Sequence, residues 1–156
     1  MIISKTQEEI TKDILRMLDH NNNNVLGSME YLLRRELLCV NKEESYLEYK
    51  ITVPNLADNE TNTAHGGFLA AVLDEGMGYA ARAFTCSGNT VKTASMQLNY
   101  LAAVGLGDEL RLKVTIIHNG RRIVVTKGEL YRKDKLVFYA NGNFAKVEYN
   151  NSNEKK

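Results

Sequence analysis

Apolar residues recur at helical spacing near the start of the chain. They lie three or four positions apart, with charged residues between them: Ile10, Ile14, Met17 and Leu18. This pattern is typical of an amphipathic helix that buries one face, and it predicts a helix over residues 4–19. Four consecutive asparagines follow at residues 21–24, and asparagine favours turns over helix. We therefore expect residues 1–28 to form an N-terminal helix and an Asn-rich linker.

Further along, the pattern changes to strand-like alternation. Polar and apolar side chains alternate over residues 46–51, and the only proline, Pro54, marks the end of that strand. Four later segments also have strand character: 90–101, 109–118, 122–132 and 136–148. The dipeptide Asn119-Gly120 between two of these segments is a strong hairpin signal.

One long helical segment, residues 66–84, lies between the early and the late strands. The predicted order is a helix, one or two strands, a second helix and then four strands as a meander. This order is typical of an α+β fold with an antiparallel sheet, and not of alternating βαβ units. We expect a single domain over residues 1–156, with a flexible polar tail over residues 149–156.

The second helix breaks local rules of helix composition. Gly76 and Gly78 lie inside it, each at a cost of about 1 kcal/mol relative to alanine. Asp74 and Glu75 are the only charged residues within 66–78, and the helical neighbours of position 74 are small or apolar. An ionised carboxylate in such surroundings is costly unless a cleft or a partner stabilises it, so this helix is a candidate functional site. Periodicity does not choose between Asp74 and Glu75.

The start of the same helix offers a second kind of chemistry. Gly66 and Gly67 place backbone N–H groups without intrahelical acceptors at the positive end of the helix dipole, where they can polarise a carbonyl. Asp74 lies two turns after Gly67 on the same face, about 10 Å along the axis. A reaction that used both groups on one carbonyl would need the acid from another chain or a facing helix. From spacing alone, a core helix with a satisfied Asp74 is the simpler interpretation.

A set of short motifs resembles one enzyme family. Asn59 precedes His65-Gly66-Gly67 by five intervening residues, and Asp74 follows after six more. The similarity continues through three further segments: 92–101, 105–109 and 120–122. Over residues 30–148 the chain resembles the hotdog-fold acyl-CoA thioesterases of the phenylacetate-degradation type, which are relatives of the 4-hydroxybenzoyl-CoA thioesterases.

This resemblance implies a hotdog fold, in which a curved antiparallel sheet wraps a long central helix, here with an extra N-terminal helix. It implies an acyl-CoA thioesterase that hydrolyses a thioester to free acid and coenzyme A, with no metal or other cofactor. It also implies a homodimer whose sheets join edge to edge, or a dimer of such dimers, with each active site between subunits. The donor amide and the acid would then come from different chains.

The family's site residues carry over to matching positions of this chain. The resemblance implies that the Gly66 amide polarises the carbonyl, and that Asp74 of the other chain either activates a water or attacks as the nucleophile. It implies positioning roles for His65 and Asn59, and a hydroxyl at Thr93 that assists the acid.

Several of these residues could instead have a purely structural role. His65 could cap the helix, and Asn59 could serve the turn chemistry of its own loop. Gly67, Arg121 and Arg122 are candidates for substrate binding, the two arginines through charge-assisted bonds to the phosphates of coenzyme A. Arginines at a hairpin tip are otherwise simply solvated.

Composition narrows the classes of function. The chain has 156 residues and a mass of 17.6 kDa, within the range of one domain. Its 20 basic and 19 acidic residues give a net charge of +1, which argues against a nucleic-acid partner. Two cysteines and three scattered histidines predict neither a disulfide framework nor a metal site. We see no signal peptide or membrane span, and we expect a cytoplasmic protein without membrane contact.

Two other functions of the same fold compete with hydrolysis. A hotdog module that binds acyl-CoA as a sensor or regulator would lack the acid or the helix-start glycines, and both are present here. A hotdog dehydratase uses a histidine and an acid in a differently spaced pattern that contains a proline, whereas the only proline of this chain is Pro54.

Overall fold

The N-terminal helix begins with a capping box. In the computed structural model, which describes residues 3–22, 29–85 and 89–148, helix α1 spans Gln7–Asn22. The Thr6 hydroxyl accepts a hydrogen bond from the Glu9 amide at 3.2 Å, and the Glu9 carboxylate accepts one from the Thr6 amide at 2.7 Å. These bonds set the start of the helix three residues later than the predicted span 4–19, and they lower the pKa of the Glu9 carboxyl.

The later elements follow the predicted order. A single helical turn, α2 (Met29–Leu32), and a 3-10 turn (Asn55–Ala57) are additions that the hydrophobic pattern does not predict. The strands and the long helix are β1 (Glu36–Asn41), β2 (Tyr46–Thr52), α3 (Gly66–Thr85), β3 (Asn89–Tyr100), β4 (Glu109–Asn119), β5 (Ile123–Arg132) and β6 (Lys135–Glu148). From α3 onward each end agrees with its prediction within one residue. Residues 23–28 of the predicted linker and the predicted tail 149–156 lie outside the described residues.

The six strands form one antiparallel sheet in the order β1-β2-β4-β5-β6-β3. Strands β4, β5 and β6 form a meander as predicted. The prediction is wrong for β3, which pairs with β6 along its whole length and not with β4. The connection over residues 101–108 is too long for the tight turn that makes consecutive strands neighbours, so the chain crosses to the other side of the meander.

Glycines allow α3 to lie close against the sheet. A Cβ on Gly128 of β5 would come within 2.7 Å of the Met77 sulfur, and a Cβ on Gly142 of β6 within 2.6 Å of the Met77 methyl group. From the helix side, a Cβ on Gly76 would lie 2.5 Å from Leu112 of β4. Any larger side chain at these positions would force Met77 or Leu112 to move, so the close fit of α3 on the sheet depends on these glycines. The curved sheet around one long helix is the hotdog fold that the resemblance implies.

The two edges of the sheet are built differently. β1 has a register shift between Leu37 and Cys39, and α1 packs beside it. The Gln7 side-chain amide donates to the Val40 carbonyl at 2.6 Å and accepts from the Lys42 amide at 3.0 Å. β3 at the other edge has 12 residues and pairs on one side only within the described part of the chain.

Candidate active site

Asp74 in the middle of α3 is held by a hydroxyl from the open edge strand. The Thr93 Oγ1 donates a hydrogen bond to Asp74 Oδ1 at 2.7 Å. Thr93 stands at a register shift, because Thr93 and Ser95 lie opposite consecutive residues of β6 and Ala94 is extra. Such a bulge re-aims the side chains beside it. Asp74 Oδ2 has no hydrogen bond to any described residue, so one carboxylate oxygen is available for a ligand.

Glu75 is tied into an ion pair instead. Its Oε2 lies 2.5 Å from Arg35 Nη2, and the Tyr79 hydroxyl donates to its Oε1 at 3.5 Å. The Arg35 side chain is 1% exposed and that of Glu75 is 20% exposed. Of the two carboxylates that periodicity leaves as alternatives, Asp74 is therefore the one with a free oxygen.

A cavity of about 210 Å³ opens beside Asp74. Helix α3 contributes both carboxylates and Arg82 to its walls, β3 contributes Thr93, and β6 contributes Phe144. Pockets for whole small-molecule ligands usually hold about 300–1,000 Å³. The cavity within one chain therefore has room for a reacting group and a few waters, and not for a complete coenzyme thioester.

The helix start is capped by a histidine. The His65 Nδ1 accepts a hydrogen bond from the Gly67 amide at 2.9 Å, and the His65 carbonyl accepts one from the Phe68 amide at 2.9 Å. These are the bonds of an N-cap. The Gly67 amide is thus engaged, whereas the Gly66 amide has no acceptor among the described residues. Gly66 is the donor that the helix start leaves open.

Tyr100 lies against Gly66 and is absent from the residues chosen by sequence reasoning. Its hydroxyl donates to the Gly66 carbonyl at 2.9 Å, and its ring stacks on Phe138 with 4.2 Å between ring centres. A Cβ at position 66 would lie 3.3 Å from the Tyr100 ring, so glycine fits best there. No local signal identifies Tyr100, because the contact joins residues 34 positions apart.

Asn59 uses its whole side chain within its own loop. Its Oδ1 accepts from the Thr61 amide at 2.8 Å and from the Thr63 amide at 3.1 Å, and its Nδ2 donates to the Thr63 hydroxyl at 2.8 Å. The loop in turn places His65, whose amide donates to the Ala57 carbonyl at 2.7 Å. In this arrangement Asn59 shapes the approach to the helix start.

Arg121 and Arg122 lie in the turn between β4 and β5, and both are exposed. Neither forms an ion pair within the described part of the chain. The Arg122 carbonyl accepts from the Lys146 amide at 2.8 Å, which fixes the turn while both guanidinium groups remain in solvent.

The structure thus divides the predicted site residues into two groups. Asp74 and Thr93 meet in the cavity, whereas Gly66 and His65 lie at the helix start, eight residues away, or about 12 Å along the axis. The two groups of one chain are too far apart to act on one carbonyl.

Other kinds of site find less support. No group of three or more His, Cys, Asp or Glu side chains within residues 3–22, 29–85 and 89–148 is arranged to hold a metal ion. Over the same ranges no helix is long and apolar enough to cross a membrane.

Comparison with known proteins decides the family. A model of the thioesterase superfamily matches residues 61–139, just over half of the chain and inclusive of Gly66, Asp74 and Thr93. The chain belongs to this superfamily.

One curated relative is similar to this chain over part of its length. The provisionally named esterase PA0474 of Pseudomonas aeruginosa is 29% identical over 86 residues, which are 55% of this chain and 64% of that protein. The chain therefore matches less than two thirds of that relative.

Solved structures share the fold over nearly the whole chain. The PaaI protein from the phenylacetic acid degradation operon of Escherichia coli is 18% identical, with a TM-score of 0.77 over 92% of this chain and 96% of that one. A hypothetical thioesterase of Streptococcus pneumoniae, solved with coenzyme A, is 20% identical, with a TM-score of 0.71 over 86% of this chain and 97% of that one.

Proposed function

We propose that this protein is an acyl-CoA thioesterase that converts an acyl-CoA and water to a free acid and coenzyme A. The observation that carries the proposal is the Asp74 carboxylate, which is fixed by Thr93 at one oxygen and free at the other beside a cavity. Membership of the thioesterase superfamily supports the reaction class. The coenzyme A bound by the Streptococcus pneumoniae structure supports the substrate class.

The active site of this proposal contains residues of two chains. Within one chain the Gly66 amide and Asp74 are about 12 Å apart along α3, too far for one thioester carbonyl. β3 carries Thr93, and none of the described residues pairs with its outer edge, which is a template for another strand. We propose that β3 pairs with β3 of a second copy, so that the helix start of one chain faces Asp74 of the other.

Either of two routes balances the reaction. In the first, Asp74 takes a proton from water, the oxygen adds to the thioester carbon, and the carbon–sulfur bond breaks as the thiolate takes the proton. In the second, Asp74 Oδ2 attacks the carbon itself, the carbon–sulfur bond breaks and coenzyme A leaves as the thiolate. Water then hydrolyses the resulting anhydride, which frees the acid and Asp74 and supplies the proton that the thiolate takes. In both, the Gly66 amide stabilises the negative charge that develops on the carbonyl oxygen. Thr93 holds Oδ1, which leaves Oδ2 as the reacting atom.

The remaining predicted residues have supporting roles. His65 and Asn59 hold the helix start in place through the bonds described above. The exposed guanidinium groups of Arg121 and Arg122 are suited to the phosphates of coenzyme A. Gly67 serves by its size, because a Cβ there would lie 3.1 Å from His65 Nδ1.

The test is release of free thiol from a panel of aromatic, short-chain and medium-chain acyl-CoAs. We expect turnover by the wild type and about a thousandfold loss of kcat in Asp74→Asn, because the carboxylate is the reacting group. Asp134→Asn, in the exposed turn before β6, is the matched control and should keep wild-type kcat. Full activity of Asp74→Asn would refute the assignment. Tight binding of acyl-CoA without turnover would instead identify a sensor or regulator.

A further inference from the structure

The Arg35–Glu75 ion pair lies beside the proposed catalytic acid. Asp74 and Glu75 are consecutive in α3, and both line the cavity. Two ionised carboxylates that line one cavity repel each other. Any group that stabilises the charge of Glu75 therefore also affects Asp74.

Arg35 holds Glu75 in a fixed arrangement. The guanidinium carbon lies 4.8 Å from the centre of the Tyr79 ring and 5.5 Å from the centre of the Tyr49 ring, both within the range of a cation–π contact. Arg35 Nη2 bonds to one oxygen of Glu75, and the Tyr79 hydroxyl donates to the other. Both oxygens of Glu75 are thus engaged, whereas only Oδ1 of Asp74 accepts a hydrogen bond from a described residue.

Stability is a poor explanation for this pair. A buried ion pair is often no more stabilising than apolar side chains of the same volume, because both ions lose their hydration. Arg35 Nε and Nη1 are buried without a hydrogen-bond partner among the described residues, which adds to the cost. The Tyr49 hydroxyl is likewise buried and unpartnered, and burial raises its pKa far above the usual range. An arrangement this costly is better explained by the site beside it.

We propose that Arg35 is a positioning residue for the thioesterase reaction: it neutralises Glu75, so that Asp74 is the carboxylate of the cavity that has no ion pair with a described residue. This rests on the proposed function. Arg35 precedes β1 and lies outside the matched segment 61–139, so a part of the chain beyond that segment completes the site.

Further charged groups lie around this pair, since Arg34, Glu36 and Lys50 line a second cavity together with Arg35. Arg82 of α3 also lines the cavity, and Arg16 and His20 of α1 lie beyond it, around Tyr79 and Arg82. The residues that β3 and β6 contribute to the cavity are uncharged: Thr90, Val91, Thr93 and Phe144. Among the described residues, Glu75 and Arg82 are therefore the charged groups that line the cavity with Asp74, and Arg35 is paired with Glu75.

The pH dependence of kcat/KM tests the proposal with four proteins: wild type, Arg35→Met, Glu75→Gln and the double variant. We expect Arg35→Met to move the midpoint of the acid limb up by about one pH unit, because Glu75 is then an uncompensated anion. Glu75→Gln should move it down, because the Arg35 cation is then uncompensated. The double variant should return it to the wild-type position. A merely structural role would lower activity at every pH and give no opposite signs.

A second readout does not depend on activity. The titration midpoint of the Asp74 carboxyl carbon, followed by NMR and assigned with Asp74→Asn, should move in the same three ways. If the wild type hydrolysed no thioester, the proposed function would fail while this readout still tested Arg35. Identical midpoints in all four proteins would overturn the proposal, as would a double variant displaced as far as Arg35→Met. If Arg35→Met did not fold, an unmoved midpoint in Glu75→Gln would overturn it.

Discussion

The two edge strands of the sheet differ in how far other parts of the chain cover their outer edges. β1 has six residues, a helix packed beside it and a Gln7 side chain bonded to the Val40 carbonyl and to the Lys42 amide just after the strand. Both strands have a register shift, but β3 has twelve residues, and within the described chain nothing covers its outer edge. Natural sheets use short strands, bulges and covering helices to prevent unwanted pairing. The protection of one edge implies that the openness of the other has a use.

The open edge, β3, also contributes a residue to the candidate active site. Thr93 reaches from β3 to Asp74, so a strand added to β3 would approach the cavity directly. The protected edge at β1, called the sealed edge below, lies next to Arg35, which directly precedes β1 and pairs with Glu75. One edge is thus suited to meeting a second chain and the other to completing the site from within.

Charge on the open edge should produce the largest effect. Ser95 and Gln97 are exposed and two residues apart on β3, so glutamates at both positions would oppose like charges on the second copy. We expect the dimer of Ser95→Glu/Gln97→Glu to be about thirtyfold weaker, from roughly 1 kcal/mol for each of two opposed pairs. Activity should fall with it at nanomolar protein and recover at high concentration.

Sedimentation and thiol release at matched concentrations measure this effect. Leu38→Glu places a charge at an exposed position of the sealed edge, and we expect it to change neither assembly nor activity. A wild type that stayed monomeric at micromolar concentration would refute the two-chain site.

Thr93→Val tests the role of the Thr93 hydroxyl in the proposed reaction without adding charge to the edge of β3. The variant keeps the shape of the side chain and removes its hydrogen bond to Asp74. We expect about a tenfold lower kcat with little change in KM, because a hydrogen bond to a charged group is worth about 1.5 kcal/mol. The matched control is Thr115→Val on β4, which should keep both constants. An unchanged kcat in Thr93→Val would remove Thr93 from the reaction.

Gln7→Ala tests the contribution of the Gln7 side chain at the protected edge. It removes two hydrogen bonds to the backbone of β1 and its turn, and we expect a loss of about 1 kcal/mol in the free energy of unfolding. Urea denaturation measures the loss, with Lys12→Ala at an exposed position of the same helix as the control. Equal stability of the two variants would show that Gln7 contributes nothing at this edge.

A turn that belongs to neither edge should give the smallest effect. Asp108 accepts from Arg132 Nη1 at 3.0 Å and from the Gly105 amide at 2.8 Å, and these bonds lower the pKa of its carboxyl. The stabilisation is complete above the unfolded-state pKa and is lost as pH falls through the lower folded-state value. Asp108→Asn should be less stable at pH 6 by a few tenths of a kcal/mol, since both partners are about one third exposed.

Denaturation at several pH values tests this sign. The difference between wild type and Asp108→Asn should narrow as the pH falls from 5 to below 3. A difference that did not change with pH would mean that the charge of Asp108 has no part in stability.

Local patterns in the sequence predict most of this fold and about half of the candidate site. The span of α3 and the β4–β5 hairpin follow from periodicity and from Asn119-Gly120, which act over neighbouring residues. The position of β3 beside β6 does not, because a long connection leaves the neighbour of a strand open.

The candidate site likewise depends on long-range contacts that local patterns do not predict. Asp74 is conspicuous because it breaks the composition of its helix. The choice between Asp74 and Glu75 depends on Arg35, forty residues before Glu75, and the hydrogen bond to the Gly66 carbonyl comes from Tyr100, thirty-four residues after Gly66. Contacts at such distances leave no periodic trace in the sequence.

The glycines beneath α3 also fix where the acid can be. The Met77 side chain fills the space above Gly128 and Gly142, one turn after Asp74, so a shift of the helix along the sheet would disturb this packing. In the proposed reaction, Asp74 is therefore the fixed group and the substrate has to be brought to it. Under that proposal, a change of acyl group would come from exchanging the side chains around Asp74, while Asp74 keeps its place.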